Sequence, residues 1–230
     1  MPRLFTGLEI PEDVCQTLSN LRGGLPGARW IDPENYHVTL RFIGDIDGVS
    51  ANEIAMLLAR IDRKPFEVTV QGLTSFGGKK PRAVVATIQP SRPLIELQAE
   101  LERLMQRLGL DPEGRKFVPH VTLARLYDAS SRDVADYLSV RGYFPSKVFT
   151  ADRFVLFSSR ASTGGGPYIV EDSYALSACW LRFHSFAVVA RLDRAIQYSS
   201  VFDVISAGGY WMPRRSLSSG GASRRPGGGA

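Results

Sequence analysis

The chain has 230 residues, of which 44% are hydrophobic and 10% aromatic, so it can form a packed core. Its net charge of +5 falls entirely in residues 178–230, so residues 1–177 are formally neutral and the high pI does not indicate a nucleic-acid-binding domain. Two cysteines, Cys15 and Cys179, cannot form a disulfide framework, and the sequence has neither a signal-peptide pattern nor a membrane-length apolar run, so we expect a cytoplasmic protein.

Apolar periodicity predicts the elements of the first half of the chain. In order they are strand Leu4–Ile10, helix Glu12–Leu21, strand Tyr36–Ile43, helix Asn52–Ile61, and strands Phe66–Val70 and Ala83–Ile88. Ser50 is a suitable N-cap for the second helix, and Glu53 stands where it would complete a capping box.

The second half repeats the alternation of strands and helices. We predict helix Leu94–Leu108, a strand beginning at His120, a helix near Arg132–Leu138, strands Arg153–Ser158 and Tyr168–Leu176, and a hairpin loop over Ser162–Gly166. Strands that alternate with helices, some joined by tight loops, predict an α+β fold. Residues 178–230 are rich in Gly, Ser and Arg, and we predict that they form a disordered basic tail after a domain of residues 1–177.

One tetrapeptide, His-Val-Thr-Leu, occurs twice, at residues 37–40 and 120–123. Each copy alternates polar and apolar residues, which is typical of a half-buried strand, so His and Thr share one face. The copies contain two of the three histidines in the chain. The third, His184, lies in the basic tail, and we expect it to be incidental.

Strand parity extends the polar face of the first copy. Arg41 follows Thr39 by two residues and therefore shares the face of His37, whereas Arg125 has the wrong parity unless its strand ends or bulges. Two histidines that titrate near neutrality suit an in-line displacement at phosphorus, one removing a proton and the other supplying one. The hydroxyls of Thr39 and Thr122 would bind the non-bridging oxygens.

Other interpretations of these residues are weaker. A single His-x-Thr on a strand is usually structural, but two identical copies favour a functional site. Neither histidine has a cysteine or carboxylate at ligand spacing, and Asp45 and Asp128 fall in predicted loops, so we expect no metal and no cofactor. The run Gly77-Gly78-Lys79-Lys80 could bind a phosphate, although a flexible basic loop is the simpler interpretation.

The two His-x-Thr motifs resemble those of the 2H phosphoesterase superfamily. The flanking segments Leu4-Phe5, Arg29-Trp30, Tyr36–Gly44, Lys80-Pro81-Arg82 and Pro119–Arg125 are similar to those of the bacterial RNA 2′,3′-cyclic phosphodiesterases, also called 2′-5′ RNA ligases. The resemblance covers about residues 2–176. It implies a bilobal fold in which two lobes, related by an approximate twofold, carry antiparallel sheets and form a central groove.

The resemblance also implies an activity and residue roles. The expected reaction is hydrolysis of an RNA terminal 2′,3′-cyclic phosphate to a 2′-phosphomonoester, with 2′-5′ ligation as a related reaction. His37 would be the proton donor and His120 the proton acceptor, while Thr39, Thr122, Arg125 and Arg41 would bind the phosphate. The expected partner is an RNA end, such as a tRNA fragment, bound by a monomer.

Two alternatives remain open from the sequence. The substrate could be a cyclic phosphate on a small nucleotide metabolite, or the protein could bind RNA ends without catalysis. The two histidines argue against simple binding, because Arg or Lys would serve that purpose.

Overall fold

The structure, a computed structural model, describes residues 3–159 and 167–177. These residues form nine strands and four α-helices, together with a short 3₁₀-helix at Pro33–Asn35. The order is β1 (Arg3–Glu9), α1 (Glu12–Ser19), β2 (Ala28–Trp30), β3 (His37–Asp45), α2 (Gly48–Leu58), β4 (Phe66–Phe76), β5 (Ala83–Ile88), α3 (Arg92–Arg107), β6 (His120–Leu126), α4 (Ser131–Arg141), β7 (Lys147–Ala151), β8 (Arg153–Ser159) and β9 (Tyr168–Ala175).

The strands form one antiparallel sheet in the order β7-β4-β5-β6-β3-β1-β8-β9, and β2 pairs with the end of β6. The predicted α+β class is therefore confirmed. The two motif strands, β3 and β6, are neighbours at the middle of the sheet. Division into two lobes stays a prediction: the strands belong to one sheet, in which β3 and β6 are joined at the residue pair Val38–Val121.

Most of the predicted elements are present, and the differences have local causes. The prediction missed β2 and β7, both of which are short. It also ended β4 too early, at Val70. Ser50 is not the N-cap of α2: the helix begins earlier, and the carboxylate of Asp47 accepts hydrogen bonds from the backbone N–H groups of Val49 and Ser50.

The core forms where helices cover the sheet. In α3 the buried residues recur at helical spacing, at Leu94, Leu97, Leu101 and Met105, so that one face of the helix packs into the main cluster. A separate small cluster contains Phe5, Val155 and Phe157, with Tyr168 packed against it. This second cluster lies beside the first motif histidine and forms part of the candidate site.

Several predictions cannot be compared with the structure. The loop over Ser162–Gly166, the basic tail from residue 178 onward, Cys179 and His184 all lie outside the described residues. In the part of the chain that the structure does describe, no helix has both the length and the apolar character needed to cross a membrane.

Candidate active site

The register between β3 and β6 brings the two tetrapeptides together. Val38 lies opposite Val121, and the antiparallel register therefore sets each histidine beside the threonine of the other copy. Both valines are fully buried, whereas the histidines and threonines are partly exposed and line one groove of about 1470 Å³. The predicted meeting of His37, Thr39, His120 and Thr122 is thus observed.

A β-bulge turns Arg125 into this groove. Thr122 lies opposite Val85 in β5, but Ala124 lies opposite the adjacent Val84, so the intervening Leu123 is an extra residue. The bulge reverses the side-chain alternation, and Arg125 is exposed on the groove side of β6. Its charge also lowers the pKa of both histidines, as expected for a nearby cation.

The equivalent bulge in β3 has the opposite consequence for Arg41. Thr39 pairs with Gly7 and Arg41 with the adjacent Thr6, which leaves Leu40 as the extra residue. The prediction that Arg41 shares the face of His37 is therefore wrong, because strand parity fails at the bulge.

Arg41 borders the groove, but its guanidinium is engaged elsewhere. The side chain is 7% exposed, and its Nε lies 2.5 Å from Oε2 of Glu102 in α3. It also donates hydrogen bonds to the backbone carbonyls of Phe42 and Asp111. Phe42 takes the groove position equivalent to that of Arg125, and its side chain is 49% exposed.

Both histidine rings are oriented by the same device. Nδ1 of His37 lies 2.8 Å from the carbonyl oxygen of Asn35, and Nδ1 of His120 lies 2.7 Å from that of Val118. A carbonyl can only accept, so each Nδ1 carries a proton and the neutral ring has its lone pair on Nε2. Nε2 of His37 lies 3.1 Å from Oγ1 of Thr39, which donates to it when the ring is neutral. Nε2 is thus the nitrogen of each ring that is able to accept or donate a proton in the groove.

The surroundings of the two rings differ. His37 contacts Phe5, Phe157 and Tyr168, with ring centroids 5.0, 5.4 and 5.0 Å away. Burial among these rings is the main cause that lowers its pKa to about 4, opposed by the hydrogen bond to Asn35 and assisted by the charges of His120 and Arg125. The pKa of His120 is also lowered, mainly by burial, and its ring meets that of Phe76 edge to face with the centroids 4.7 Å apart.

The sequence prediction missed several groove residues. The aromatic cluster around His37 depends on the pairing of β1 with β3 and β8, which has no local sequence signal. Phe76 was missed because β4 was predicted to end at Val70. The basic pair Arg115-Lys116 lies just before the second motif, and this position in the sequence could have indicated that the groove has a positively charged wall.

The turn between β4 and β5 is well defined. The backbone N–H of Lys80 donates to Gly77, and the N–H of Arg82 donates to Phe76. Ser131 in α4 donates a side-chain hydrogen bond to the carbonyl of Lys79. The turn therefore holds Lys80 and Arg82 at the groove.

Within residues 3–159 and 167–177, no group of three or more His, Cys, Asp or Glu side chains could hold a metal ion. The groove offers a different set of groups. Two Nε2 atoms are available for proton transfer, two hydroxyls can bind an anionic oxygen, and Arg125 supplies a fixed positive charge. Such a set can bind a phosphate and move protons on and off its oxygens.

Comparison with known proteins identifies similar chains. Residues 10–163 match the model of the 2′-5′ RNA ligase superfamily. The RNA 2′,3′-cyclic phosphodiesterase of Thermotoga maritima is 31% identical over 177 residues, covering 73% of this chain and 92% of the relative. The protein of the same name from Aquifex aeolicus is 30% identical over 153 residues, which cover 64% of this chain and 81% of the relative.

A solved structure is also similar to this chain. The crystal structure of E. coli LigT complexed with 3′-AMP is 26% identical, with a TM-score of 0.63, and the match covers 76% of this chain and 99% of that one.

Proposed function

The chain belongs to the 2′-5′ RNA ligase superfamily, and from this premise we propose that it hydrolyses a 2′,3′-cyclic phosphate at an RNA end to a 2′-phosphomonoester. The observation that carries the proposal is the orientation of the two histidines. Each Nδ1–H is held by the carbonyl two residues earlier, so each Nε2 is left for proton transfer beside Thr39, Thr122 and Arg125.

In the proposed mechanism the two rings act on opposite sides of the phosphorus. Nε2 of His120 removes a proton from the attacking water, and Nε2 of His37 protonates the departing 3′-oxygen. Thr39, Thr122 and Arg125 bind the non-bridging oxygens as charge builds on them. The assignment of donor and acceptor follows the family resemblance, since the local symmetry of the motifs does not distinguish them.

The size of the groove favours an RNA end over a small metabolite. Its volume of about 1470 Å³ exceeds the roughly 300–1000 Å³ of most small-molecule sites, so it can accommodate more than one nucleotide. The groove also carries several cations suited to a phosphodiester chain.

The test is an assay on an RNA oligomer that ends in a 2′,3′-cyclic phosphate, with and without chelator, resolving 2′- from 3′-phosphate products. We expect 2′-phosphate product in both conditions, and a loss of about 10²–10⁴-fold in kcat for His37→Ala and for His120→Ala. His184→Ala is the matched control and should retain wild-type turnover. Faster turnover of mononucleoside 2′,3′-cyclic phosphates would favour the metabolite alternative. Binding without turnover would favour the non-catalytic one.

A further inference from the structure

Arg41 occupies a position at which the second motif strand has an alanine. Because both bulges fall at the leucine after the threonine, Arg41 in β3 corresponds to Ala124 in β6, and both residues are buried. In β6 an alanine is sufficient for packing, whereas removing a guanidinium from water costs several kcal/mol before any pairing. The partners of Arg41 therefore indicate what this buried charge contributes.

Arg41 and Glu102 together bind the backbone just after α3. Nε of Arg41 lies 2.5 Å from Oε2 of Glu102, and the guanidinium also donates a hydrogen bond to the carbonyl of Asp111. The other carboxylate oxygen of Glu102, Oε1, accepts a hydrogen bond from the backbone N–H of Glu113 at 3.0 Å. The pair thus connects β3 and α3 to one short stretch of the chain, residues 111–113.

This stretch begins the segment that leads to the second motif. Residues 111–118, which we name the wall segment, contain no helix or strand, and the first six of them are all exposed. Across the described residues, the wall segment makes no hydrogen bond from its backbone to another backbone group. At its far end Phe117 packs against the main core, and the carbonyl of the following Pro119 accepts a hydrogen bond from the N–H of Ile88. The Arg41–Glu102 pair supplies the anchor at the near end.

The wall segment forms a basic side of the groove. Its residues Arg115 and Lys116 line the groove and are exposed, and the β4–β5 turn brings Lys80 and Arg82 to the same groove. Glu113 is the acidic residue that the segment adds to this lining, so the cations are in excess. A loop that becomes ordered only when a ligand binds loses affinity, because ordering costs conformational entropy. Anchoring the segment in advance therefore favours binding of a polyanion.

The anchor should act on binding rather than on proton transfer. Nδ1 of His120 is held by the carbonyl of Val118, which lies between Phe117 and Pro119 at the separately anchored end of the segment. Loss of the Arg41–Glu102 pair would thus release the cations of the segment while leaving the ring of His120 in place.

We propose that Arg41 and Glu102 are a positioning pair, which holds the wall segment against the groove and thereby sets the preference for an RNA oligomer over a mononucleotide. The inference rests on the proposed function. Arg115 and Lys116 contact phosphates beyond the terminal nucleotide, which a mononucleotide lacks. The pair itself touches neither the substrate nor the reacting atoms.

The first experiment measures kcat and KM for an RNA oligomer that ends in a 2′,3′-cyclic phosphate and for a mononucleoside 2′,3′-cyclic phosphate. The variant is Arg41→Met/Glu102→Leu, in which apolar side chains replace both charges so that the chain still folds. We expect KM for the oligomer to rise about tenfold, while KM for the mononucleotide and kcat for both substrates stay within about twofold of wild type.

The matched control is Arg63→Met/Glu100→Leu. This ion pair, with Nε of Arg63 2.6 Å from Oε2 of Glu100, also holds α3 to a neighbouring segment, but neither residue lines the groove. The control should leave the ratio of the two KM values unchanged.

A double-mutant cycle separates positioning from direct contact. Arg115→Ser/Lys116→Ser should raise KM for the oligomer about tenfold, because two phosphate contacts are lost. If the pair acts through these cations, adding Arg41→Met/Glu102→Leu should raise KM by less than about a further twofold. A guanidinium that bound phosphate directly would instead give additive effects.

Limited digestion with trypsin reports the position of the wall segment without reference to activity. Trypsin cleaves after Arg115 and after Lys116, and the masses of the fragments identify these two sites. We expect cleavage there to be about tenfold faster in Arg41→Met/Glu102→Leu than in wild type or the control, because local opening exposes the backbone to the protease.

Three results would overturn the proposal: an unchanged KM for the oligomer in either groove variant, additive effects in the cycle, or cleavage as slow as in wild type. A rise in KM that is equal for both substrates would also overturn it, because the pair would then support the whole site. In each case the wild-type protein would still hydrolyse the oligomer. Failure of the proposed function would instead abolish wild-type turnover, and the digestion would still test whether the pair holds the segment.

Discussion

Val38 in β3 lies directly opposite Val121 in β6, so the two identical tetrapeptides meet at their second residues. In this antiparallel register the two His-Thr pairs lie at equivalent positions on either side of the buried valine pair. Both motif strands carry a bulge at the leucine that follows the threonine, so the two strands remain equivalent for one further residue. The surroundings of the two strands are not equivalent, because the groove walls are aromatic beside His37 and basic beside His120. The two histidines therefore occupy equivalent positions on their strands but lie in different surroundings.

The pH dependence of activity should reflect the lowered pKa values of both histidines. With the pKa of His37 lowered to about 4 and that of His120 also lowered, the free protein needs His37 protonated and His120 neutral. The profile of kcat/KM should be bell-shaped with its maximum below pH 7. A bound cyclic phosphate is negative and raises the pKa of both histidines, so both limbs of the kcat profile should lie at higher pH than those of kcat/KM.

Arg125 provides a check on this assignment. Its charge lowers the pKa of both rings, so Arg125→Gln should move both limbs of the kcat/KM profile to higher pH. A maximum above pH 8 in the wild-type protein, or limbs that do not move in the variant, would contradict the assignment of the histidines.

Arg41 and Arg125 should respond differently to truncation. Arg41→Ala leaves Glu102, which is 17% exposed, without its guanidinium partner but with its hydrogen bonds from Gln106 and the backbone N–H of Glu113. Loss of one partner of a fully buried ion pair typically costs about 3–5 kcal/mol, so we expect a loss of about 2–3 kcal/mol of unfolding free energy for this partly buried pair. Arg41→Met/Glu102→Leu should recover most of this loss. Arg125→Ala should instead raise KM with little change in stability, because Arg125 is exposed. Denaturant titrations give the unfolding free energies, and steady-state kinetics give KM.

A different result for Arg41→Ala would support the prediction, made from strand parity, that Arg41 binds the phosphate. If Arg41→Ala raised KM while leaving the unfolding free energy within about 1 kcal/mol of wild type, Arg41 would be a phosphate ligand.

The contrast between these two arginines marks the limit of the sequence analysis. The repeated tetrapeptide was sufficient to predict the two strands and which of their residues share a face, because alternation is a local property of a strand. The meeting of the two strands in one groove was predicted from the repetition of the motif and from the family resemblance. The bulges at Leu40 and Leu123 depend on how the neighbouring strands β1 and β5 pair, so no periodicity in the motif could reveal them. The aromatic residues Phe5, Phe157 and Tyr168 around His37 likewise could not be predicted locally, because they come together only when β1 lies beside β3 and β8 beside β1.

Adjacent glycines in the β4–β5 turn should differ in tolerance. Gly77 has φ +115°, and a Cβ there would lie 2.3 Å from the carbonyl oxygen of Lys80 and 2.8 Å from the backbone nitrogen of Arg82. Gly78 has φ +57°, and a Cβ there would meet nothing within 4 Å.

We therefore expect Gly78→Ala to cost about 1 kcal/mol of unfolding free energy and Gly77→Ala about 2 kcal/mol or more. Gly77→Ala should also lower activity, because the turn follows Phe76, which packs against His120. Equal costs in chemical denaturation would show that the turn relaxes freely around the added methyl group.

Asn35 should control the protonation of His37 through its backbone carbonyl. Its backbone carbonyl accepts from Nδ1 of His37 at 2.8 Å, and its side-chain oxygen accepts from the backbone N–H of Tyr168 at 2.9 Å. Asn35→Ala removes the second bond and frees the carbonyl to move, so we expect kcat to fall about tenfold. Because that carbonyl raises the pKa of His37, its pKa should fall further in the variant.

The measurement is a titration of both histidine rings by NMR. His120 is the internal control, because its carbonyl partner belongs to Val118 and does not depend on Asn35. Asn35→Asp retains an oxygen that can accept from Tyr168 and should restore kcat toward wild type. If Asn35→Ala moved the titration of both rings equally, the effect would be a general loosening of the fold; a shift confined to His37 identifies Asn35 as a positioning residue.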